Sequence, residues 1–183
     1  YEGMAGAETV GLGFSREAKV AVWGSDIVTA PGNGYQLQLR DARGVVHKTI
    51  AVAISRTVVT DAMRQANVAR RMAQLHDSPE KPRDMAESER LIRDAPYADS
   101  LPPYSAIHVT PDQTLWVVDP IVPGDRDWAA TAFHRDGMMV GRLKYHAGGI
   151  PVAFGDSAVA IRMVDSDGVV TIRILKMMQL SND

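Results

Sequence analysis

The stretch LPPYSAIHVTPDQTLWVVD, residues 101–119, follows a long polar, helix-prone passage and is dense in β-branched and aromatic residues. Its two β-rich runs, YSAIHV and TLWVVD, flank the turn residues Pro111-Asp112-Gln113, so it reads as an antiparallel pair of strands. Whether it opens a new domain or resumes an old one depends on whether the chain has already used the pattern. One constant offset carries Phe14 to Ile107, Trp23 to Trp116, Asp26 to Asp119, Tyr35 to Trp128 and Gly44 to Gly137, with no gap needed between residues 14 and 44. On this reading the stretch resumes a repeat.

Each copy reads as four strands. The first contains TVGLGF, KVAVWG, GYQLQLRD and VVHKTIAV, and YQLQL alternates with the period of a half-buried strand. The second contains YSAIHV, TLWVVD, WAATAFH and MMVGRLKYH. Both place a glycine before the last strand, in DARG and RDG, where a positive φ closes an antiparallel hairpin. A third unit has IPVAFGD, SAVAIRMVD and VVTIRIL, with the hairpin signal DSDG between the last two. Four antiparallel strands in about 45 residues is the size of a β-propeller blade. The expected architecture is all-β and of propeller type: a blade over 9–52, a second over 104–146 and a partial closing blade over 150–176, in one domain spanning 1–183.

Between the first two units the pattern changes to a helical one. VVTDAMRQANVARRMAQLHD sets Val68, Met72 and Leu75 on one helical face, with Thr60 as N-cap. A second helix, DMAESERLIRD, starts with Asp84 three residues before Glu87 in capping-box spacing, and SPEKPR breaks the chain between them. The insert, residues 58–96, therefore reads as a helical hairpin on a blade connection.

Composition bounds the function. The 183 residues carry 20 Lys and Arg against 22 Asp and Glu, a net charge of −2, so no global basic field is available for nucleic acid. There is no cysteine, which excludes disulfides, thiol catalysis and zinc-thiolate sites. No run approaches the roughly 18 consecutive apolar residues of a membrane-spanning helix. The chain begins at Tyr1, which reads as a processed or truncated product.

The order of GYQLQLRDARGVV, the polar helical insert, LPPYSAIHVTPDQTLWVVD, the hairpin FHRDG and the closing strands AVAIRMVDSDGVVTIRIL resembles the C-terminal part of a family of bacterial six-bladed β-propeller proteins, usually exported and often lipoprotein-anchored. The resemblance covers essentially the whole chain. It implies the propeller fold and a place on the periplasmic or extracellular side of the envelope, outside the membrane, but no particular activity. Pro111-Asp112-Gln113 departs from the family's Asp-Gly at that turn. Eleven strands are also under half of a six-bladed ring, so further blades are expected upstream, or else another chain covers the open edges.

Catalytic and metal-binding motifs are not apparent. His47, His76, His108, His134 and His146 stand in no metal-ligand spacing, and no serine lies in a nucleophile elbow. His108 is the channel candidate, because the strand that carries it would line the propeller axis. Asp26 and Asp119, recurring in the repeat, read as structural, and Trp23, Trp116 and Trp128 as packing within or between blades. The charges of the insert read as a solvated face with mutual pairing, while Met63, Arg70, Arg71, Met72 and Met85 form a possible partner contact. The expected function is a non-catalytic binding or scaffold module that needs no cofactor and meets a protein or larger membrane-associated assembly through a propeller face or the insert. The alternative is a calcium-dependent six-bladed propeller hydrolase with most site residues outside this chain.

Overall fold

A computed structural model describes residues 12–178 except 33, 52–55, 80–81, 123 and 166. Among these residues the fold is mainly β, with eleven strands in three antiparallel sheets of four, four and three strands, and two helices. The chain divides into two compact units, residues 1–15 with 56–101, and residues 16–55 with 102–183.

The first unit holds the helices α1 (Asp61–Asp77) and α2 (Met85–Arg93). Both start where the capping residues require. Thr60 accepts a hydrogen bond from the Met63 amide, and Asp84 accepts one from the Glu87 amide. Each cap satisfies an amide that has no partner within its own helix. Val68, Met72 and Leu75 are half-buried together, as their spacing requires. Sequence reasoning missed Asn67, which is 5% exposed and accepts a hydrogen bond from the Tyr97 hydroxyl at 3.2 Å. The Tyr97 ring packs on Phe14 and lies so close to Gly13 that a Cβ there would overlap it.

The second unit holds the sheets. The first is β1 (Lys19–Trp23), β2 (Asp26–Ala30), β3 (Gln36–Arg40) and β4 (Val46–Ala51). The middle sheet is β5 (Ala106–Val109), β6 (Leu115–Val118), β7 (Trp128–Phe133) and β8 (Met139–Tyr145). The third is β9 (Ile150–Phe154), β10 (Ala158–Val164) and β11 (Val170–Lys176). The strands read in the last two sheets form as expected. The first sheet does not form as read. Residues 9–11 of TVGLGF lie outside the described residues, and of the rest only Gly13 makes a bridge, to Tyr97, both residues belonging to the first unit. The fourth strand comes instead from DIVTA, which the two-residue turn Gly24-Ser25 folds back on KVAVW. Gly24 takes a φ of 65°, a conformation that costs glycine little.

The constant offset is also only half structural. Arg40 and Phe133 occupy the same place beside a β-bulge, opposite Val46 and Met139, and Gly44 and Gly137 close the two hairpins alike. Because Ile27 pairs with Arg40 and Leu115 with Phe133, however, Ile27 is the counterpart of Leu115. Trp23 ends β1 whereas Trp116 lies within β6, so those tryptophans, and Asp26 with Asp119, are not equivalents. The first hairpins differ in turn length, and the tryptophans coincide only in sequence.

The sheets stack face to face, and the strand period decides which side chains meet. Leu115, Val117 and Phe133 face the first sheet, where Trp23, Val28, Leu37 and Leu39 complete one core. Val118, Trp128 and Ala130 face the third sheet, where Phe154, Val159 and Ile161 complete a second. All three tryptophans pack between sheets, Trp23 in the first core and Trp116 and Trp128 at the second. Polar links fix the stacking of the first two sheets. The Trp23 indole donates to the Gln113 carbonyl at 2.7 Å, and the Gly32 amide donates to the buried Tyr104 hydroxyl at 2.8 Å. The closest backbone approaches between sheets run from β1 to β5 and from β5 to β9, the first strand of each. The three sheets therefore fan out from their first strands.

Candidate functional site

His108 lies on β5, the strand where the sheets converge. Its register partner is Trp116, so both side chains fall on the face toward the third sheet. The Phe154 ring stacks on Trp116 with centroids 4.8 Å apart, tilts against His108 at 5.3 Å and meets Trp128 edge-on at 6.4 Å. This aromatic setting takes His108 out of water, and burial holds its pKa below the ordinary histidine value. The imidazole is therefore neutral near pH 7. His108 Nε2 and Trp128 Nε1 are buried and have no hydrogen-bond partner among the described residues.

On the opposite face of the middle sheet, the Arg142 guanidinium bonds the Asp119 carboxylate and, at 3.0 Å, the Thr131 hydroxyl. Burial raises the Asp119 pKa, while the charge and hydrogen bond of Arg142 work against that rise. Asp26 instead faces His47 at 3.2 Å and Arg135 at 3.8 Å. Arg135 also donates to the Ser25 hydroxyl at 2.8 Å. Asp26 and Asp119 thus have structural partners, through different contacts. Among the described residues no group of three or more acidic or histidine side chains is placed to hold a metal ion.

The insert separates its charges unevenly. On α2, Arg90 pairs with Glu87 at 2.7 Å and Arg93 with Glu89 at 2.6 Å, and Glu89 also reaches His76 of α1 at 3.0 Å. Such exposed pairs contribute little to stability. On α1, Arg64 faces Asp61 at 3.7 Å, but exposed Arg70 and half-buried Arg71 enter no ion pair with the described residues. Met63, Met72 and Met85 are each half-buried. The expected mutual pairing therefore holds for α2 and across to His76, but not for Arg70 and Arg71.

No helix among the described residues is long and apolar enough to cross a membrane. Comparison with models of known protein families finds no match, and no curated protein is similar enough to match the chain.

Proposed function

We propose that this chain belongs to a six-bladed β-propeller protein of the bacterial cell envelope, lying outside the membrane, and serves as a non-catalytic binding module whose helical insert meets a protein partner. The propeller reading is supported by four-stranded antiparallel sheets that fan from their first strands and bury large side chains between successive faces. The binding reading is carried by α1. It keeps Arg70 and Arg71 out of the ion pairs that occupy the α2 arginines, with flexible methionines half-exposed on the same insert. Arginine and methionine are both enriched in protein contacts, the first for its forked donors and the second for its adaptable shape.

The test is capture from native envelope membranes with the tagged chain, beside a variant carrying Arg70→Glu and Arg71→Glu. We expect one or a few proteins captured by the unmodified chain and reduced at least tenfold by the variant, with unchanged circular dichroism. Recovery of the free chain alone, or equal capture by both, would sink the proposal.

A further inference from the structure

We propose that acid opens the junction between the middle and third sheets while the junction between the first and middle sheets stays closed, with the His108 imidazole as the trigger and Gly148-Gly149 as the hinge. The device does not depend on what the helical insert binds.

The two junctions are held by different chemistry. Across the first, the Trp23 indole donates to the Gln113 carbonyl and the Gly32 amide donates to the Tyr104 hydroxyl. Neither link titrates in mild acid, since burial pushes the Tyr104 hydroxyl above its ordinary value of 10. Across the second junction the fastening is a cluster of rings. Phe154 comes from the third sheet and packs on Trp116, His108 and Trp128 of the middle sheet. Of these four side chains only histidine gains a charge near neutrality.

The surroundings of His108 offer that charge no partner. On its own strand Ala106 shares its face, and on β6 Trp116 and Val118 do so. Phe154 of β9 and Val159 and Ile161 of β10 complete the packing, and none of these side chains titrates. Farther out on the same facing surfaces lie Tyr145, opposite Trp128, and Arg173, opposite Ile161, neither of which can neutralise a cation near pH 7. Asp119 and Arg142 pair on the other face of the middle sheet, Arg162 lies on the other face of β10, and Asp156, in the turn after Phe154, is exposed. His108 Nε2 is itself buried without a hydrogen-bond partner among the described residues. A proton gained there has to be carried to water.

The direction of the switch follows. Burial holds the His108 pKa below the ordinary 6.5 while the junction is closed. In the open form the ring meets water and its pKa returns toward 6.5, so protons favour the open form below that pH and leave the closed form favoured above it.

The connection between the sheets is suited to such a movement. The chain passes from β8 to β9 through Gly148 and Gly149, whose φ angles are 80° and 87°. Left-handed backbone is cheap for glycine, and a few such positions can absorb the rotation of one packed element against another. A Cβ at Gly149 would overlap the Ile161 side chain, so the closed junction also requires glycine there.

Hydrogen exchange of the full chain at pH 7.5 and pH 5, corrected for the intrinsic effect of pH on amide exchange, tests the proposal. Protection of residues 150–164 is expected to fall at least threefold, within the one-proton limit of about tenfold per pH unit below 6.5, while residues 26–40 keep theirs. His108→Leu and His108→Gln, neither of which can take up the proton, should each hold the protection of residues 150–164 constant, with circular dichroism reading the fold of both. Equal loss of protection in the two segments, constant protection in the unmodified chain, or an acid response that survives both substitutions would overturn the proposal. Failure of membrane capture by the insert would leave it standing.

Discussion

The middle sheet and its two neighbours are built from the same kinds of strand but live in different surroundings. In β6 and β7 nearly every side chain is buried, because both faces are covered, whereas β1 and β11 alternate or remain largely exposed. The same β-branched chemistry therefore has two consequences. Between sheets it contributes core energy, on the order of 25 cal/mol per Å² of apolar surface removed from water. On the outer faces it contributes little until another sheet arrives.

Two adjacent residues test that contrast most directly. Trp23 is fully buried and Val22, beside it on β1, points the other way. Trp23→Ala should cost about 3–5 kcal/mol, since it opens a cavity between the sheets and leaves the Gln113 carbonyl without its indole donor. Val22→Ala should cost about 0.5 kcal/mol or less, because Val22 is exposed. Urea unfolding of both variants checks this. A comparable cost for Val22 would mean that its face is covered.

The contrast was only partly legible in the sequence. The middle and third sheets could be read strand by strand, because each apolar run is bounded by turn residues such as RDG and DSDG. The first sheet differs from its reading because TVGLGF is not its first strand, and DIVTA went unread because Gly24-Ser25 is a weak turn signal until φ is known. The repeated tryptophans misled for a related reason. A shared offset fixes structural equivalence only where turn lengths also match, as they do for Gly44 and Gly137. For the site, the strand carrying His108 could be read, but Phe154 arrives from another sheet and no local pattern announces it. Asn67 bonding Tyr97 and Arg142 bonding Asp119 were hidden likewise, since both contacts exist only after the chain has folded back.

The two sheet junctions differ in polarity, and the next test sharpens that difference. The first is pinned by the Tyr104 hydroxyl, while Phe154 in the second stacks on aromatic rings. Tyr104→Phe keeps the ring but leaves the Gly32 amide without its partner, so it should cost about 1–2 kcal/mol in chemical denaturation. A neutral result would mean that water replaces the hydroxyl.

Acid should act on the second junction through His108. Its folded pKa lies below the ordinary 6.5, so below that pH the unfolded chain takes up the proton first. Stability contributed by neutral His108 is complete above about pH 6.5 and is lost as pH falls toward the folded pKa. The slope should be a fraction of the one-proton limit of about 1.4 kcal/mol per pH unit. Asp119 works with the opposite sign. Its folded pKa is raised above 3.8, so its burial penalty grows as pH rises through the interval between the two values, and acid relieves it. Unfolding measured from pH 7.5 to 5 should show a decline that His108→Leu flattens. An unchanged profile in that variant would remove His108 as the cause.

A smaller effect compares four turns. Gly44, Gly137 and Gly168 each take a φ of 78–82° and donate an amide hydrogen bond three residues back, to Asp41, His134 and Asp165. Gln113 does the same toward Thr110, at a φ of 66° and with a Cβ to accommodate. The turn compensates locally. The Asp112 carboxylate accepts from the Thr110 hydroxyl and, at 3.1 Å, from the Thr114 hydroxyl, and these bonds hold its pKa below the usual carboxylate value. Left-handed backbone costs an ordinary residue about 1–2 kcal/mol, and glycine returns part of that saving as greater freedom in the unfolded chain. Gln113→Gly should therefore stabilise the chain by about 0.5–1 kcal/mol, raising the thermal midpoint by a few degrees. The backbone carbonyl that receives the Trp23 indole is unchanged by the substitution, so the junction it anchors should remain intact. A loss of stability would mean that the Gln113 side chain supports the fold through a contact of its own, and that the fourth turn is not a strained copy of the other three.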